Sequence, residues 1–166
     1  MKKLDLDAIP TEGGCNYPAP FDGPCLGSTW KRLGNARELT QFGVNLSRLP
    51  PGVWSSQRHW HSHEDEFIWV LEGEVVSVTE DGEEVLRAGD CAAFKAGVPD
   101  GHHLINRSDR DAVVLEVGTR DPERDRCDYP DIDMLAAPGP RPYVHRDGTP
   151  YPEKAAAASW LVGQEP

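Results

Sequence analysis

Between residues 40 and 119 the chain alternates short apolar runs with turn residues. The runs are rich in β-branched and aromatic side chains, and the Gly, Pro and Asp residues between them leave no room for crossover helices. The predicted strands are QFGVNLSRL, VWSSQRHWH, EFIWVLE, EVVSVT, EEVLR, DCAAFK, HHLIN and AVVLEVG. Asp81 and Gly82 are typical of a hairpin turn. The pattern therefore predicts an all-β antiparallel core, closed as a sandwich or barrel.

The segments on either side of this core have a different composition. Residues 1–39 include the Pro- and Gly-rich stretch YPAPFDGPCLG and lack helical periodicity, so we expect an extended N-terminal arm. Residues 120–166 are polar and Pro-rich, which predicts a tail that wraps the core; AAAASWL is the one stretch there that favours a helical turn. The length of 166 residues suits one domain overall.

The run EFIWVLE is apolar on both of its faces. Side chains two apart share a face of a strand, so Ile68 and Val70 lie on one face, and Phe67, Trp69 and Leu71 on the other. A strand with two apolar faces must be covered on both sides, by the barrel interior and by the terminal arms or a second subunit. We expect a homodimer.

The charge of the chain narrows the choice of partners. With 17 Lys and Arg against 28 Asp and Glu, the formal charge is −11, which disfavours nucleic acid and acidic membranes as partners. No run approaches the roughly 20 apolar residues of a membrane helix, and MKKLDLDAIPTEGG lacks the apolar core of a signal peptide. We therefore expect a soluble cytoplasmic protein with a small-molecule substrate. The cysteines form no C-x-x-C pair and are predicted to be free thiols.

Two histidine clusters carry the candidate chemistry. In RHWHSHEDEF, His59 and His61 share one strand face, and Glu66 follows at the start of the next run. Two imidazoles and a carboxylate suit a divalent transition metal if a further ligand arrives from elsewhere. Either His102 or His103 of DGHHLINRSD can supply it, but not both from one regular strand. The alternative is a surface cluster of ionisable groups.

The spacing of these residues resembles the two sequence motifs of the cupin superfamily. The first motif is matched by His59, His61, Glu66 and Gly73, and the second by Gly89, Gly97, His102 and Asn106. There are two departures. Lys95 stands at a position where the family has proline, and Asp100 and Gly101 form an insertion before the histidine. An insertion of even length keeps His102 on its strand face.

The resemblance implies a fold and a metal centre. The fold is a double-stranded β-helix, a jelly-roll-like barrel, and the implied metal ligands are His59, His61, Glu66 and His102. The metal itself, Zn, Fe, Mn or Ni, is not specified by such ligands. His63 is a rival ligand, because His61 and His63 also form an H-x-H pair; His63 and Glu64 are the candidate proton carriers.

Small cupins of this type are often described as similar to sugar-phosphate isomerases, so we take a metal-dependent isomerase-like enzyme as the first hypothesis. An isomerase acting on a phosphorylated sugar needs basic residues at its cavity, and the core offers few: Lys95, Arg48, Arg87 and Arg107. The alternatives are an iron-dependent dioxygenase and a cupin that binds a metabolite without turning it over.

Overall fold

A computed structural model describes residues 3–138 and 143–152 of the chain. The predicted helical stretch AAAASWL lies outside the described residues. Within those residues the regular elements are strands and two three-residue 3-10 helices, Gly23–Cys25 and Asn35–Arg37. No helix of the described chain is long and apolar enough to cross a membrane.

The strands follow one another closely along the chain, as the short apolar runs predict. The N-terminal part contains β1 (Glu12–Gly13), β2 (Thr29–Arg32) and β3 (Phe42–Leu49). The central part contains β4 (Trp60–His61), β5 (Glu66–Glu72), β6 (Glu74–Thr79), β7 (Gly82–Arg87), β8 (Cys91–Phe94), β9 (His103–Ile105) and β10 (Ala112–Thr119). Beyond these lie β11 (Cys127–Tyr129), β12 (Met134–Ala136) and β13 (Tyr143–Val144).

These strands form three antiparallel sheets that enclose an apolar core. The first sheet has the order β1-β2-β3-β10-β5-β8, the second β7-β6-β9 and the third β13-β12-β11-β4. Buried side chains from the first two sheets meet in one cluster: Leu49, Ile68, Val70, Val75, Leu86, Leu104, Ala112 and Val114. Burial of this apolar area is the main favourable term in folding. The predicted all-β jelly-roll-like architecture is confirmed.

The two flanking segments are built into these sheets. Strand β2 pairs with β3 over four residues, and β11 pairs with β4 beside the first histidine cluster. A second buried cluster joins the ends of the chain, with Tyr17 and Cys25 packed against Cys127, Tyr129 and Met134. The flanks therefore form walls of the molecule and add strands to its sheets, which their Pro-rich composition does not predict.

The predicted strand VWSSQRHWH is shortened to the two residues of β4. Before β4 the polar side chains bond to backbone groups of other segments, which competes with a regular ladder. The Ser55 hydroxyl accepts a bond from Leu104 N at 3.0 Å, and Gln57 Nε2 donates to Phe21 O at 2.7 Å. Single bridges at Trp54 and His59 are what remains of the predicted pairing.

One glycine position in the first sheet is sterically closed to any side chain. Gly73 joins β5 to β6 with a φ of 73°, and a Cβ there would lie 2.6 Å from Asp111 O and 3.0 Å from Ala112 Cα. Gly52 also has a positive φ, 80°, but no heavy atom lies within 4 Å of its Cβ position.

We expect Gly73→Ala to lower the free energy of unfolding by roughly 3 kcal/mol, because it adds a backbone clash to the conformational cost. The matched control, Gly52→Ala, should cost about 1 kcal/mol, since only the conformational cost applies. Urea unfolding followed by tryptophan fluorescence measures both values. Equal losses in the two variants would contradict the steric argument.

Candidate metal centre

Three imidazoles converge on one carboxylate inside the barrel. The Nε2 atoms of His59 and His61 each lie 3.8 Å from Glu66 Oε2, and His102 Nε2 lies 2.7 Å from the same oxygen. The four predicted ligands come from two separate chain segments, and the fold brings them to one point.

The backbone explains this convergence. His59 and His102 form an antiparallel bridge, with His59 N donating to His102 O at 3.1 Å and His102 N donating to His59 O at 2.9 Å. His61 follows two residues later on the same face, in β4. Glu66 opens β5, opposite Gly118 of β10 and Phe94 of β8. The Phe94 ring stacks on the His102 ring, with centroids 3.6 Å apart, and limits its rotation.

Each imidazole is oriented by a bond to its other nitrogen. His59 Nδ1 donates to Gln57 O at 2.8 Å, His61 Nδ1 to Asp125 Oδ2 at 2.7 Å, and His102 Nδ1 to Asp100 O at 3.2 Å. Because carbonyl and carboxylate oxygens only accept, the Nδ1 atom of each ring carries the proton. In the neutral form each Nε2 then presents a lone pair toward Glu66, which is the tautomer that a metal ligand requires.

This arrangement calls for a positive charge between the groups. An imidazole lone pair and a carboxylate oxygen 2.7 Å apart repel each other unless a proton or a cation lies between them. Burial raises the pKa of Glu66, but the hydrogen bond from His102 and the charges of the three histidines outweigh it and lower the pKa to about 2. Glu66 is therefore ionised over the physiological pH range.

The histidines differ in their own electrostatics. Burial lowers the pKa of His59 to about 4, against the attraction of Glu66. Burial also lowers the pKa of His61, but the hydrogen bond to Asp125 and the charges of Glu66, Asp125 and Glu64 reverse the direction and raise it. The His59 ring is thus neutral at pH 7, the form in which its Nε2 atom could bind a metal.

Asp125 is a site residue that sequence reasoning missed. Its side chain is fully buried, and besides His61 it accepts from His63 N at 2.9 Å and from Ser62 Oγ at 3.3 Å. A buried carboxylate that orients a ligand imidazole is a common feature of metal sites. Asp125 lies in RDPERDRCDYP, where several acids are equally prominent, so no sequence signal distinguishes it.

The remaining predicted site residues lie at different distances from the cluster. His63 is exposed, with Nδ1 2.9 Å from the hydroxyl of Ser62. Glu64 is closer, with Oε2 3.9 Å from His61 Nδ1, and its Oε1 accepts from Asp121 N at 2.8 Å. His103 points elsewhere: its Nδ1 donates to Ser56 O at 3.0 Å. His102, and not His103, therefore belongs to the cluster.

A cavity of about 220 Å³ opens onto the cluster. Apart from His61, Glu66 and His102, its wall includes Trp60, Glu64, Phe94, Lys95, Val98 and Asp100. Three overlapping groups of residues have possible ligand atoms that, within each group, all lie within 4.8 Å of one another. The groups are His59, Glu66 and His102; His59, His61 and Cys127; and His61, Glu64 and Asp125. A small molecule in this cavity would touch Glu66 and His102 of the first group.

The comparisons with known proteins agree with this fold. The model of the Cupin domain family matches residues 45–118. A sugar phosphate isomerase of the cupin superfamily from Silicibacter pomeroyi is 45% identical, with a TM-score of 0.85 over 91% of this chain and 97% of the other. No curated protein matches the chain.

Two more distant structures share the fold. A protein from Acidithiobacillus ferrooxidans, proposed to be a sugar phosphate isomerase, is 26% identical over 76% of this chain and 81% of its own, with a TM-score of 0.67. A predicted oxalate decarboxylase from Thermotoga maritima is 22% identical over 71% of this chain and 98% of its own, with a TM-score of 0.57. The chain belongs to the cupin superfamily, as its motifs predict.

We expect Asp125→Ala to lower the free energy of unfolding by roughly 2–4 kcal/mol, because it leaves part-buried donors of three residues without their buried acceptor. The matched control is Asp133→Ala, which also removes a carboxylate that accepts from a histidine ring and a backbone N–H, but whose side chain is 60% exposed. Water replaces those bonds, so the control should cost less than about 1 kcal/mol. Chemical unfolding of the metal-free wild type and of both metal-free variants measures these losses. Equal losses in the two variants would show that burial of Asp125 does not strengthen its contribution.

Proposed function

We propose that the protein is a metal-dependent enzyme in which His59, His61, Glu66 and His102 hold a divalent transition metal. The observation that carries the proposal is the convergence of three Nε2 atoms on Glu66 Oε2, at 2.7–3.8 Å, with the Nδ1 atom of each ring already engaged. Three neutral imidazoles and one carboxylate leave a net positive charge at a divalent ion. Zn, Fe, Mn and Ni all accept such a donor set.

We further propose that the reaction is the isomerisation of a small phosphorylated sugar. This choice rests on the likeness to the Silicibacter pomeroyi protein, which is described as a sugar phosphate isomerase. When bound, the metal would polarise the substrate carbonyl and stabilise an enediolate as a Lewis acid.

The residues of the chain supply positioning and proton transfer around that centre. Glu64 lines the cavity near His61, at a distance from the cluster that suits a proton carrier. His63 is exposed and less well placed for that role. Trp60 and Phe94 cover the sides of the cavity with apolar surface, which excludes water from the reacting groups.

One cation is available for the phosphate group. Lys95 is the one Lys or Arg among the described residues that line this cavity, and its ammonium group makes no hydrogen bond or ion pair within the described chain. The other basic residues named from the sequence are engaged on the surface: Arg48 with Asp111, Arg87 with Glu74, and Arg107 with Glu83. We assign phosphate binding to Lys95.

The ligand assignment predicts the metal content of purified protein. Wild type should hold about one transition-metal ion per chain, and the His61→Ala/Glu66→Ala variant should lose at least tenfold in metal affinity, because two of the four donors are gone. The control variant His145→Ala/Glu84→Ala removes the same residue types outside the cluster, at half-buried His145 and exposed Glu84. Elemental analysis that finds equal metal in all three proteins would refute the site.

The reaction assignment predicts that metal-loaded wild type interconverts aldose and ketose phosphates. NMR spectra of the sugar phosphates over time measure this conversion. Activity should disappear with a chelator and return with added metal. Lys95→Ala should raise KM for phosphorylated sugars with little change in kcat, because it removes a contact that substrate and transition state share. Oxygen consumption by the ferrous protein without isomerisation would favour the dioxygenase. Recovery of the sugar phosphate unchanged after incubation with metal-loaded protein would favour a binding protein.

We also propose that a second copy of the chain covers the outer face of the first sheet. Two registered rows of uncharged side chains cross this face: Leu46, Leu115, Trp69 and Cys91, and Val44, Val117, Phe67 and Ala93. In a chain of charge −11, like chains repel each other except across an uncharged patch. This face is such a patch, and it is contiguous over four strands.

The dimer proposal predicts a solution mass of twice 18.3 kDa for wild type. Trp69→Glu should yield monomers, because it places a charge at the centre of the apolar rows. Val85→Glu is the matched control: Val85 is 41% exposed on β7 of the second sheet, against 45% for Trp69. Light scattering that finds wild-type protein monomeric at micromolar concentration would exclude this interface.

A further inference from the structure

A second cavity, of about 200 Å³, lies between the barrel and the N-terminal segment. Residues 14–17 and β2 form one side of it, and the inward faces of β3 and β10 form the other. We call it the inner chamber and define it by three polar side chains, Asn45, Ser47 and Glu116. A water molecule occupies roughly 30 Å³ of liquid, so the chamber is large enough for a small organic molecule.

The polar side chains of the chamber are incompletely satisfied. Asn45 Oδ1 is shielded from solvent, yet it has no hydrogen-bond partner among the described residues. Such orphaned buried acceptors are rare in folded proteins and require an explanation. Glu116 has the Ser47 hydroxyl as a hydrogen-bond partner, and no cation is among the groups that shift its pKa. The chamber thus presents hydrogen-bonding groups for which the protein supplies few partners.

The protonation state of Glu116 follows from its surroundings. Burial raises its pKa, the Ser47 hydroxyl lowers it, and the negative charge of Glu66 raises it, for a value of about 7. The other titratable groups around the chamber are Arg32, which is paired with Glu12 at 3.0 Å, and Tyr17, Tyr143, Cys15 and Cys25. A neutral Glu116 carries a hydroxyl donor and a carbonyl acceptor side by side.

The chamber and the histidine cluster are adjacent in the strand register. Glu116 pairs with Asn45 on β3 and with Ile68 on β5, while Gly118 pairs with Glu66. Glu116 therefore lies two residues, or about 7 Å along the strand, from Gly118, the partner of Glu66. Along the strand, the chamber and the cluster are therefore separated by less than the length of a small chain-like ligand.

We infer that the inner chamber binds the hydroxyl chain of a small polyhydroxylated ligand, with Asn45 and Glu116 as its hydrogen-bonding residues. A hydroxyl group both donates and accepts, as do the Asn45 amide, the Ser47 hydroxyl and a protonated carboxyl group. An anionic group is disfavoured because Glu66 is ionised and Arg32 is paired. The inference rests on the proposed function only in choosing a sugar phosphate as the ligand.

The test uses mannitol phosphate, which has no carbonyl group to isomerise, and inorganic phosphate as the comparison. Titration calorimetry with metal-loaded wild type should give tighter binding of mannitol phosphate than of inorganic phosphate. Asn45→Leu and Glu116→Leu should each weaken mannitol phosphate binding about tenfold, because a hydroxyl of the ligand then loses its partner. Binding of inorganic phosphate should not change. The control Glu84→Gln, at an exposed position on β7, should behave as wild type.

Glu116→Gln keeps the shape of the side chain and removes its titration. The Gln amide both donates and accepts, so Glu116→Gln should bind mannitol phosphate more tightly than Glu116→Leu does. Equal affinity in these two variants would overturn the hydrogen-bonding role of Glu116.

Three results separate failure of this inference from failure of the proposed reaction. Wild-type affinity in both Leu variants, or equal affinity of wild type for the two probes, would exclude the chamber as the binding site. Loss of affinity in these variants with normal metal content, but without isomerisation by wild type, would retain the chamber and reject the reaction. Thermal unfolding of each variant verifies that it is folded before binding is interpreted.

Discussion

The site depends on the cost of withdrawing the half-buried carboxylate of Glu66 from most of its water. An ionised carboxylate withdrawn from water is strongly unfavourable unless opposite charge or hydrogen bonds compensate it. Here three imidazoles surround its Oε2 atom within 3.8 Å, and each is held by an acceptor behind it. The positions of β4, β5 and the bridge between His59 and His102 all serve this arrangement. A misplaced segment would leave a half-buried charge without compensation, so the site and the fold constrain each other.

The fold and the central ligands are predictable from the sequence because both follow local rules. Strand alternation places His59 and His61 on one face, and the even insertion at Asp100 and Gly101 leaves His102 on the face that the motif requires. All but one of the predicted strands are present, with bounds that agree to within one residue. The exception, VWSSQRHWH, fails because its Ser and Gln side chains bond to other segments.

What the sequence does not reveal are contacts between segments far apart in the chain. Asp125 reaches His61 across 64 residues, and no periodicity or motif marks it among the neighbouring acids. Glu116 lies in the strand AVVLEVG, where alternation puts it on the face opposite Leu115 and Val117, but only the position of β2 and residues 14–17 makes its surroundings a chamber. Strand patterns predict which side chains share a face, and the three-dimensional structure is needed to know what they meet.

The joining of the two chain ends has a consequence for how the molecule is made. Tyr17 packs edge-on against Tyr129, with ring centroids 5.5 Å apart, and against Tyr143 at 5.4 Å. These contacts span more than a hundred positions of the chain, and closing loops of that length is slow compared with forming hairpins. During synthesis the barrel strands are available for pairing well before the last of these tyrosines has emerged. The wall behind the histidines is therefore completed late, and an unfinished chain would expose its imidazoles and thiols to the surrounding solution.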